Sequence, residues 1–520
     1  MAKTVYLDAM IERADFAIKG SDTNFAEPIQ ALSIENLGPN GMVVPMLRKP
    51  DFQRETNHWS PPQVLKFLES FLDQELIPSV ILWRSDAHLF AIDGAHRLSA
   101  LRAWIEDDYG DGLVSLKFYS NEISTEQRKA AATTRKLVEE NIGKYSQLKK
   151  ALIEPDNYEP LKVRRARNMA IRTISLQWVQ GDGEKAETSF FNINTQGTAL
   201  DEIEGLLLKN RDRSVAIAAR SIVRAGTGYK YWSKYNDSKP EIERLSKILH
   251  ALLFNPEVEH PIKTLELPLG GTQSPIHALA LLMNFLAVAG ANHGSARKQV
   301  SDFPIETDGS ETIKLLEYST KIVGRMVGNA PGSLGLHPAV YFYSDNGRRL
   351  PDLLMGMVTV FKKYLDNNNP TFFKRFTSKR ASLEELLVSK KSLITQALHL
   401  GRSKIRVERA APMFEFLISQ EKDLRELSEG ELVKAIMPSA DSKILSFAGS
   451  PSKDFSHETK SQIYLRESII NSLKCPICKG LMLPSQSVSY DHITRVQDGG
   501  LGHANNGQLT HPFCNTGIKN

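Results

Sequence analysis

Val64, Leu65, Leu68, Phe71 and Leu72 recur at helical spacing behind Ser60 and Pro61, which suit an N-cap and a first helical position, so this stretch predicts an amphipathic helix. Two short apolar runs, Ser79 to Trp83 and His88 to Ile92, read as strands. The second ends in Asp93-Gly94-Ala95-His96-Arg97, a tight turn that opens a helix through Leu98, Leu101 and Trp104. Ser124-x-x-Gln127 is a capping box at the head of a long polar helix running to Lys150, and Leu200 to Leu208 begins another helix. Beyond residue 240 the pattern is largely helical, over 241–254, 275–290, 311–327 and 351–365. A Ser-rich stretch with Gly and Pro, Pro438 to Lys453, reads as a linker, followed by a helix from His457 to Leu473. Near the end the period changes to two. Val488, Tyr490 and His492 alternate with Ser489, Asp491 and Ile493, Asp498-Gly499-Gly500 turns the chain, and Pro512 suits the first turn of a closing helix. That order is strand, loop, strand, helix.

A length of 520 residues implies several domains. The net charge of +5 is mild, so affinity for nucleic acid has to come from local patches. Two are visible: Lys162, Arg164, Arg165, Arg167 and Arg172 on one helix, and a run from Lys362 to Arg409. The run includes Lys363, Lys374, Arg375, Lys379, Arg380, Lys390, Lys391, Arg402, Lys404 and Arg406, interleaved with Phe372, Phe373 and Phe376. Each reads as a surface that tracks duplex phosphates or as a solvated basic exterior, the second run being the main expected duplex surface. The most apolar run, Ala278 to Ala291, is interrupted by Asn284 and too short to span a bilayer, and no secretory leader is visible, so a soluble cytoplasmic protein is expected.

All three cysteines fall at the end of the chain. Cys475 and Cys478 have the C-x2-C spacing of a zinc knuckle, and His511 and Cys514 repeat it as H-x2-C, which together supply the four ligands of a closed, structural Zn²⁺ site. So short a segment cannot fold on its own apolar core, and a metal tying its ends together meets that need. Clustered thiols of this kind also fit a reducing compartment. Between the two ligand pairs lies a second chemistry. Neighbouring positions on a helix point about 100° apart, so Cys514 can face the zinc while Asn515 faces back toward Asp491. A carboxylate and an amide oxygen would then converge on a hard cation such as Mg²⁺ or Mn²⁺. His492 is placed to act as general base, because an imidazole titrates near neutral pH.

These residues resemble the HNH endonuclease family, the ββα-metal fold, in its zinc-stapled form. Asp491, His492, Asn506, Cys514 and Asn515 match its motif in order and approximate spacing, with H-x2-C standing where many members have a second C-x2-C. The resemblance implies one-metal phosphodiester hydrolysis: Asp491 and Asn515 hold the cation, His492 activates water, and Asn506 orients the loop that carries His492.

The front of the chain carries a second resemblance. Pro50-Asp51-Phe52-Gln53-Arg54, the helix after Trp59, Ile77-Pro78, Asp93-Gly94-x-His96-Arg97-Leu98 and Phe191-x-Ile193-Asn194-x-x-Gly197-x-x-Leu200 look like the ParB/sulfiredoxin-like N-terminal domain of GmrSD-type modification-dependent restriction enzymes. This implies binding and hydrolysis of a nucleoside triphosphate, with Asp93, Gly94, His96 and Arg97 at the phosphates and Gln53, Arg54 and Asn194 nearby. Ala95 stands where relatives usually carry Gln, a departure expected to affect turnover before binding. From the residues alone, the turn is a plausible anion cradle at a helix N-terminus, or Asp93 and Arg97 simply pair to stabilise it.

The expected fold class is α+β and multidomain: a ParB/sulfiredoxin-like α/β domain over 1–210, a helical domain with a DNA-facing basic surface over 211–437, a linker over 438–456 and an HNH nuclease over 457–520. The expected function is a metal-dependent DNA endonuclease of restriction or phage-defence type, gated by nucleotide, acting on double-stranded DNA, with modified phage DNA as a candidate target. The alternatives are a mobile-element HNH nuclease without nucleotide control and a nucleotide-switched DNA-binding regulator with an inactive nuclease.

Overall fold

The computed structural model describes residues 4–14, 16, 29–50, 59–85, 88–196, 202–227, 232, 234–255, 266–271, 278–292, 297–400, 403–437 and 454–519. The chain divides into two compact units, Met1–Arg211 with Thr227–Ser233, and Asp212–Gly226 with Lys234–Asn520.

The first unit is built on a six-stranded mixed sheet. Its strands are β1 (Arg13–Ala14), β2 (Ala31–Ser33), β3 (Leu47–Pro50), β4 (Val80–Arg84), β5 (Leu89–Asp93) and β6 (Thr173–Trp178), in the order β1-β3-β5-β4-β6-β2. Strands β1, β3 and β5 run parallel, while β4 pairs antiparallel with β5 and parallel with β6. Side chains alternate across a strand, so β5 sends Leu89 and Ala91 into the large core with Val64, Leu68, Leu98 and Leu101. It sends Phe90 and Ile92 to the other face, against Phe16, Trp83, Ala186 and Phe190. The helix Pro61–Leu72 begins as its sequence predicts, with Gln63 Oε1 accepting from the Ser60 amide at 2.8 Å.

Two expectations need correction here. The polar helix does not run to Lys150: it spans Thr125–Asn141, stops at Gly143 with φ +99°, and restarts as Tyr145–Ile153. A left-handed residue cannot continue a right-handed helix, and glycine adopts that conformation without strain. The basic helix, Pro160–Ile171, does not present all its arginines to solvent either. Arg165 donates to the Asp73 carboxylate at 3.0 and 2.6 Å and to the Asn141 carbonyl at 2.8 Å, and Arg172 donates to the Glu75 carbonyl. The Arg165 guanidinium accordingly holds the Asp73 carboxyl below its ordinary pKa.

The second unit is helical up to its last segment. Helices Lys239–Phe254, Leu279–Ala289, Ser310–Met326 and Pro351–Asp366 occupy the apolar-periodic stretches, followed by Pro370–Ser389, Lys391–His399 and Ser403–Ser419. The basic run is redistributed by folding. Phe372, Phe373 and Phe376 are buried, Phe372 stacked on Tyr364 at 3.7 Å and Phe373 edge-on to Phe361 at 5.5 Å, so these rings are core and not a platform for bases. Lys362, Arg380 and Lys391 are buried too, bonded to Asp366, to Glu384 and to the Val340 carbonyl. Lys374 and Arg375 remain exposed. Arg402 and the side chains of Lys404 and Arg406 lie outside the described residues, as does Pro438 to Lys453. No described helix is long and apolar enough to cross a membrane.

Candidate functional site

Cys475, Cys478, His511 and Cys514 are all buried, and their ligand atoms lie within 4.8 Å of one another. His511 turns Nδ1 toward the sulfurs, 3.4 Å from Cys478 and 3.9 Å from Cys514, while Nε2 lies 3.0 Å from the Leu481 carbonyl. One ring nitrogen is thus available as a ligand and the other is fixed as a donor, the arrangement that orients metal-binding imidazoles. Burial, then the charge of Arg380, lowers the His511 pKa, which keeps the ring neutral as ligation requires. The three thiols crowd one another: bonds from Cys478 and then Cys514 drive Cys475 strongly down, while Cys475 pushes Cys478 up to about 11. Three thiols, one imidazole and a tetrahedral scale of spacing fit a metal such as zinc.

The cluster is not held by its own segment alone. Arg380, on the helix Pro370–Ser389, donates to Glu384 at 2.7 Å, to the Gly335 carbonyl at 2.8 Å, to the Leu334 carbonyl, and to the Leu481 carbonyl at 3.4 Å. Glu384 accepts from the Leu481 amide at 2.5 Å and from the Tyr341 hydroxyl at 3.0 Å. Gly480 is required by this approach, because a Cβ there would meet Arg380 Nε at 2.4 Å. Further along, the Phe513 amide donates to the Ser333 carbonyl at 2.8 Å, and the Val488 amide to Asn329 Oδ1 at 2.8 Å. The tail is therefore docked on the helical body through main-chain groups as well as through side chains.

Between the two ligand pairs stand β7 (Ser489–His492) and β8 (Gly507–Thr510), antiparallel with Asp491 opposite Gln508 and His492 opposite Gly507. A helical turn, Cys514–Ile518, closes the motif. Asn506 clasps the intervening loop with three side-chain bonds, accepting from the Thr494 amide at 2.7 Å and donating to the Thr494 and Leu501 carbonyls at 3.1 and 2.9 Å. Asn515 lies against β7, its Nδ2 donating to Ser489 Oγ at 2.8 Å and to the Tyr490 carbonyl at 3.2 Å. Asp491 is buried and His492 half-buried. One participant was not anticipated: Lys519 reaches both Asp491 oxygens, at 3.0 and 2.9 Å. Its position four residues after Asn515, one helical turn on, is the signal that could have found it.

In the first unit, β3 and β5 are neighbours and parallel, so Pro50 and Asp93 end them at the same edge of the sheet, the edge where open α/β sheets place ligands. Gly94 adopts φ +92°, and a Cβ there would meet Val80 Cγ2 at 2.6 Å. The turn feeds the helix Ala95–Glu106, whose His96 ring packs on Trp59 at 5.7 Å between centroids. Arg97 donates to Asp93 Oδ2 at 2.6 Å and to the Ser79 carbonyl at 3.2 Å. Beneath the same edge, Lys49 and Arg13 each bond Asp8 Oδ1 at 2.7 Å in a fully buried group that sequence reasoning missed, because such charges read as surface. Gln53 and Arg54 lie outside the described residues, as does the side chain of Asn194.

Residues 35–211 match the family of the GmrSD restriction endonuclease, N-terminal domain. No curated protein and no solved structure matches the chain. The matched span takes in β3 to β6 and the Asp93 turn, and ends well before Cys475.

Proposed function

We propose that the protein is a DNA endonuclease of restriction or phage-defence type, with an HNH nuclease site at Asp491, His492, Asn506 and Asn515 and a nucleoside triphosphate site at the Asp93 turn. The observation that carries this reading is a conjunction within one chain. A region of the GmrSD N-terminal type is followed by a hairpin and closing helix, stapled by a buried Cys₃His cluster, that carry those four residues in motif order.

The assigned roles follow from the chemistry of each group. Asp491 and Asn515 would hold Mg²⁺ or Mn²⁺, which supplies charge for the phosphodiester and for its leaving oxygen. His492, beside Asp491 at the end of β7, would take the proton from attacking water. Asn506 ties the loop so that the end of β7 keeps one geometry, and the zinc cluster holds β7 against the closing helix. At the other site, Gly94 allows the chain to turn tightly into a helix that begins at the edge where β3 and β5 end, and Gln53, Arg54, His96, Arg97 and Asn194 would surround the phosphates.

A second reading draws on one contact. Arg97 is already paired with Asp93 and Ser79, which favours a nuclease of mobile-element type whose turn is structural and which takes no nucleotide. Cleavage of modified and unmodified phage DNA, with and without nucleotide, by wild type and His492→Ala, decides among these. Cutting that requires His492 and responds to nucleotide supports the restriction reading. Cutting indifferent to nucleotide supports the second, and no cutting with retained DNA binding leaves a regulator.

A further inference from the structure

The Asp491 carboxylate faces an ammonium. Lys519 Nζ lies 3.0 Å from Oδ1 and 2.9 Å from Oδ2, donates to the His492 carbonyl, and comes within 3.4 Å of the Ile493 carbonyl. Two carboxylate oxygens and two main-chain oxygens thus surround one positive charge, as oxygen ligands surround a hard cation. The pair is well sheltered, the Lys519 side chain 17% and the Asp491 side chain 6% exposed. Gln508 Nε2 donates to Oδ2 at 2.8 Å and fills out the carboxylate's shell. Lys519 arrives there because the closing turn is wide: its amide bonds the Cys514 carbonyl at 3.2 Å, five residues back.

We infer that Lys519 is a built-in competitor for the divalent cation at Asp491, the ammonium and the metal holding the carboxylate in turn. This rests on the reading of Asp491 as a metal-holding residue. A Mg²⁺ ion on the same oxygens would sit about 2.1 Å from them, so close to the ammonium that two cations would share a sheltered site. Their repulsion there is far stronger than in water, and one of them leaves. The lysine is the mobile one, a point charge on four methylenes that can carry its donors out to solvent. Metal-free protein then keeps Asp491 neutralised and the end of β7 tied down. The cation finds a competent site only in the fraction of molecules whose lysine has swung away, and its apparent affinity falls by that fraction.

The test is Mn²⁺ binding to the zinc-loaded full chain without DNA, followed by electron paramagnetic resonance, for wild type, Lys519→Met, Lys519→Arg and Asp491→Asn. Lys519→Met is expected to bind Mn²⁺ roughly tenfold tighter, the change for a lysine that blocks nine molecules in ten. Lys519→Arg, which keeps the charge, should stay near wild type, and Asp491→Asn should lose the site. In wild type, acetylation of the Lys519 amine, read by mass spectrometry, should accelerate when Mn²⁺ is added, which needs no variant to fold. Equal or weaker Mn²⁺ binding in Lys519→Met, or acetylation indifferent to Mn²⁺, overturns the inference while loss of binding in Asp491→Asn leaves the nuclease site standing. Unchanged binding in Asp491→Asn overturns both.

Discussion

Arg380 and His511 meet on one carbonyl. The Leu481 oxygen accepts from His511 Nε2 at 3.0 Å and from Arg380 Nη2 at 3.4 Å, so a guanidinium on a helix of the body and a ligand of the metal cluster are linked through a single atom. Arg380 and Glu384 are 0% and 3% exposed, and neither has water to turn to if the other is removed. Arg380→Met should therefore lower stability by about 3–5 kcal/mol, the range for breaking a buried pair. It should also speed zinc release to a chelator, because His511 loses its orienting partner's support. Urea denaturation and a colorimetric zinc assay measure the two effects.

The cluster itself gives a stoichiometry. Purified protein should carry about one tightly held zinc per chain. Cys475→Ser or Cys514→Ser should lose it and open the segment around β7 and β8 to protease, since metal binding and local folding are one equilibrium. A folded, protease-resistant tail without zinc would contradict the ligand assignment.

Alanine at His492 should reduce DNA cutting by about 10²- to 10⁴-fold with melting behaviour unchanged. The ring is half-buried and makes no hydrogen bond to another described residue, so its removal tests proton transfer with little expected cost to the fold. Full activity in that variant would end its assignment as the base.

Stability should fall in acid through His337. Its ring is fully buried with no hydrogen bond from either nitrogen to another described residue, the charges of Glu384, Arg380 and Lys391 act on it, and burial lowers its pKa to about 4 from 6.5. Between those values the unfolded chain binds a proton that the folded one refuses, so stability decreases as pH drops from 6.5 toward 4 and levels off below. Replacing His337 by Leu should flatten this part of the pH profile, by up to roughly 3 kcal/mol at the acid end. Urea midpoints at a series of pH values give the comparison.

Nucleotide should change the cutting rate of the full chain, and Arg97→Ala should abolish the response by removing a phosphate contact. If Arg97 serves only Asp93 and Ser79, the same variant will melt earlier while nucleotide binding, measured calorimetrically, stays as it was.

Local periodicity and ligand spacing were legible in the sequence; the destinations of side chains were not. The cysteine pairs could be read because zinc ligation depends on short spacings, and the structure gathers His511 with them. The helix at Pro61 could be read because capping is a local matter. Phe372, Phe373 and Phe376 misled because a basic helix with aromatic residues looks alike whether its rings face a base or a neighbouring helix. Only the packing against Phe361 and Tyr364 decides, and that partner lies on another element. Arg380 and Glu384 stand one turn apart and could be guessed as a pair, but nothing local points to Leu481. Lys519 looked like an ordinary charged residue until the closing turn brought it to Asp491.

Asn506 is followed by Gly507, the dipeptide in which an asparagine amide is most readily lost through a cyclic imide. Its side chain is held away from that reaction by the three bonds to Thr494 and Leu501, so the clasp on the loop is also a chemical shield. An aspartate formed there would keep an acceptor for the Thr494 amide but have no N–H for either carbonyl, and the loop would open. Protein stored without its metal, with this segment loosened, would thus age irreversibly at residue 506. Zinc restored afterwards would return the cluster but not the loop.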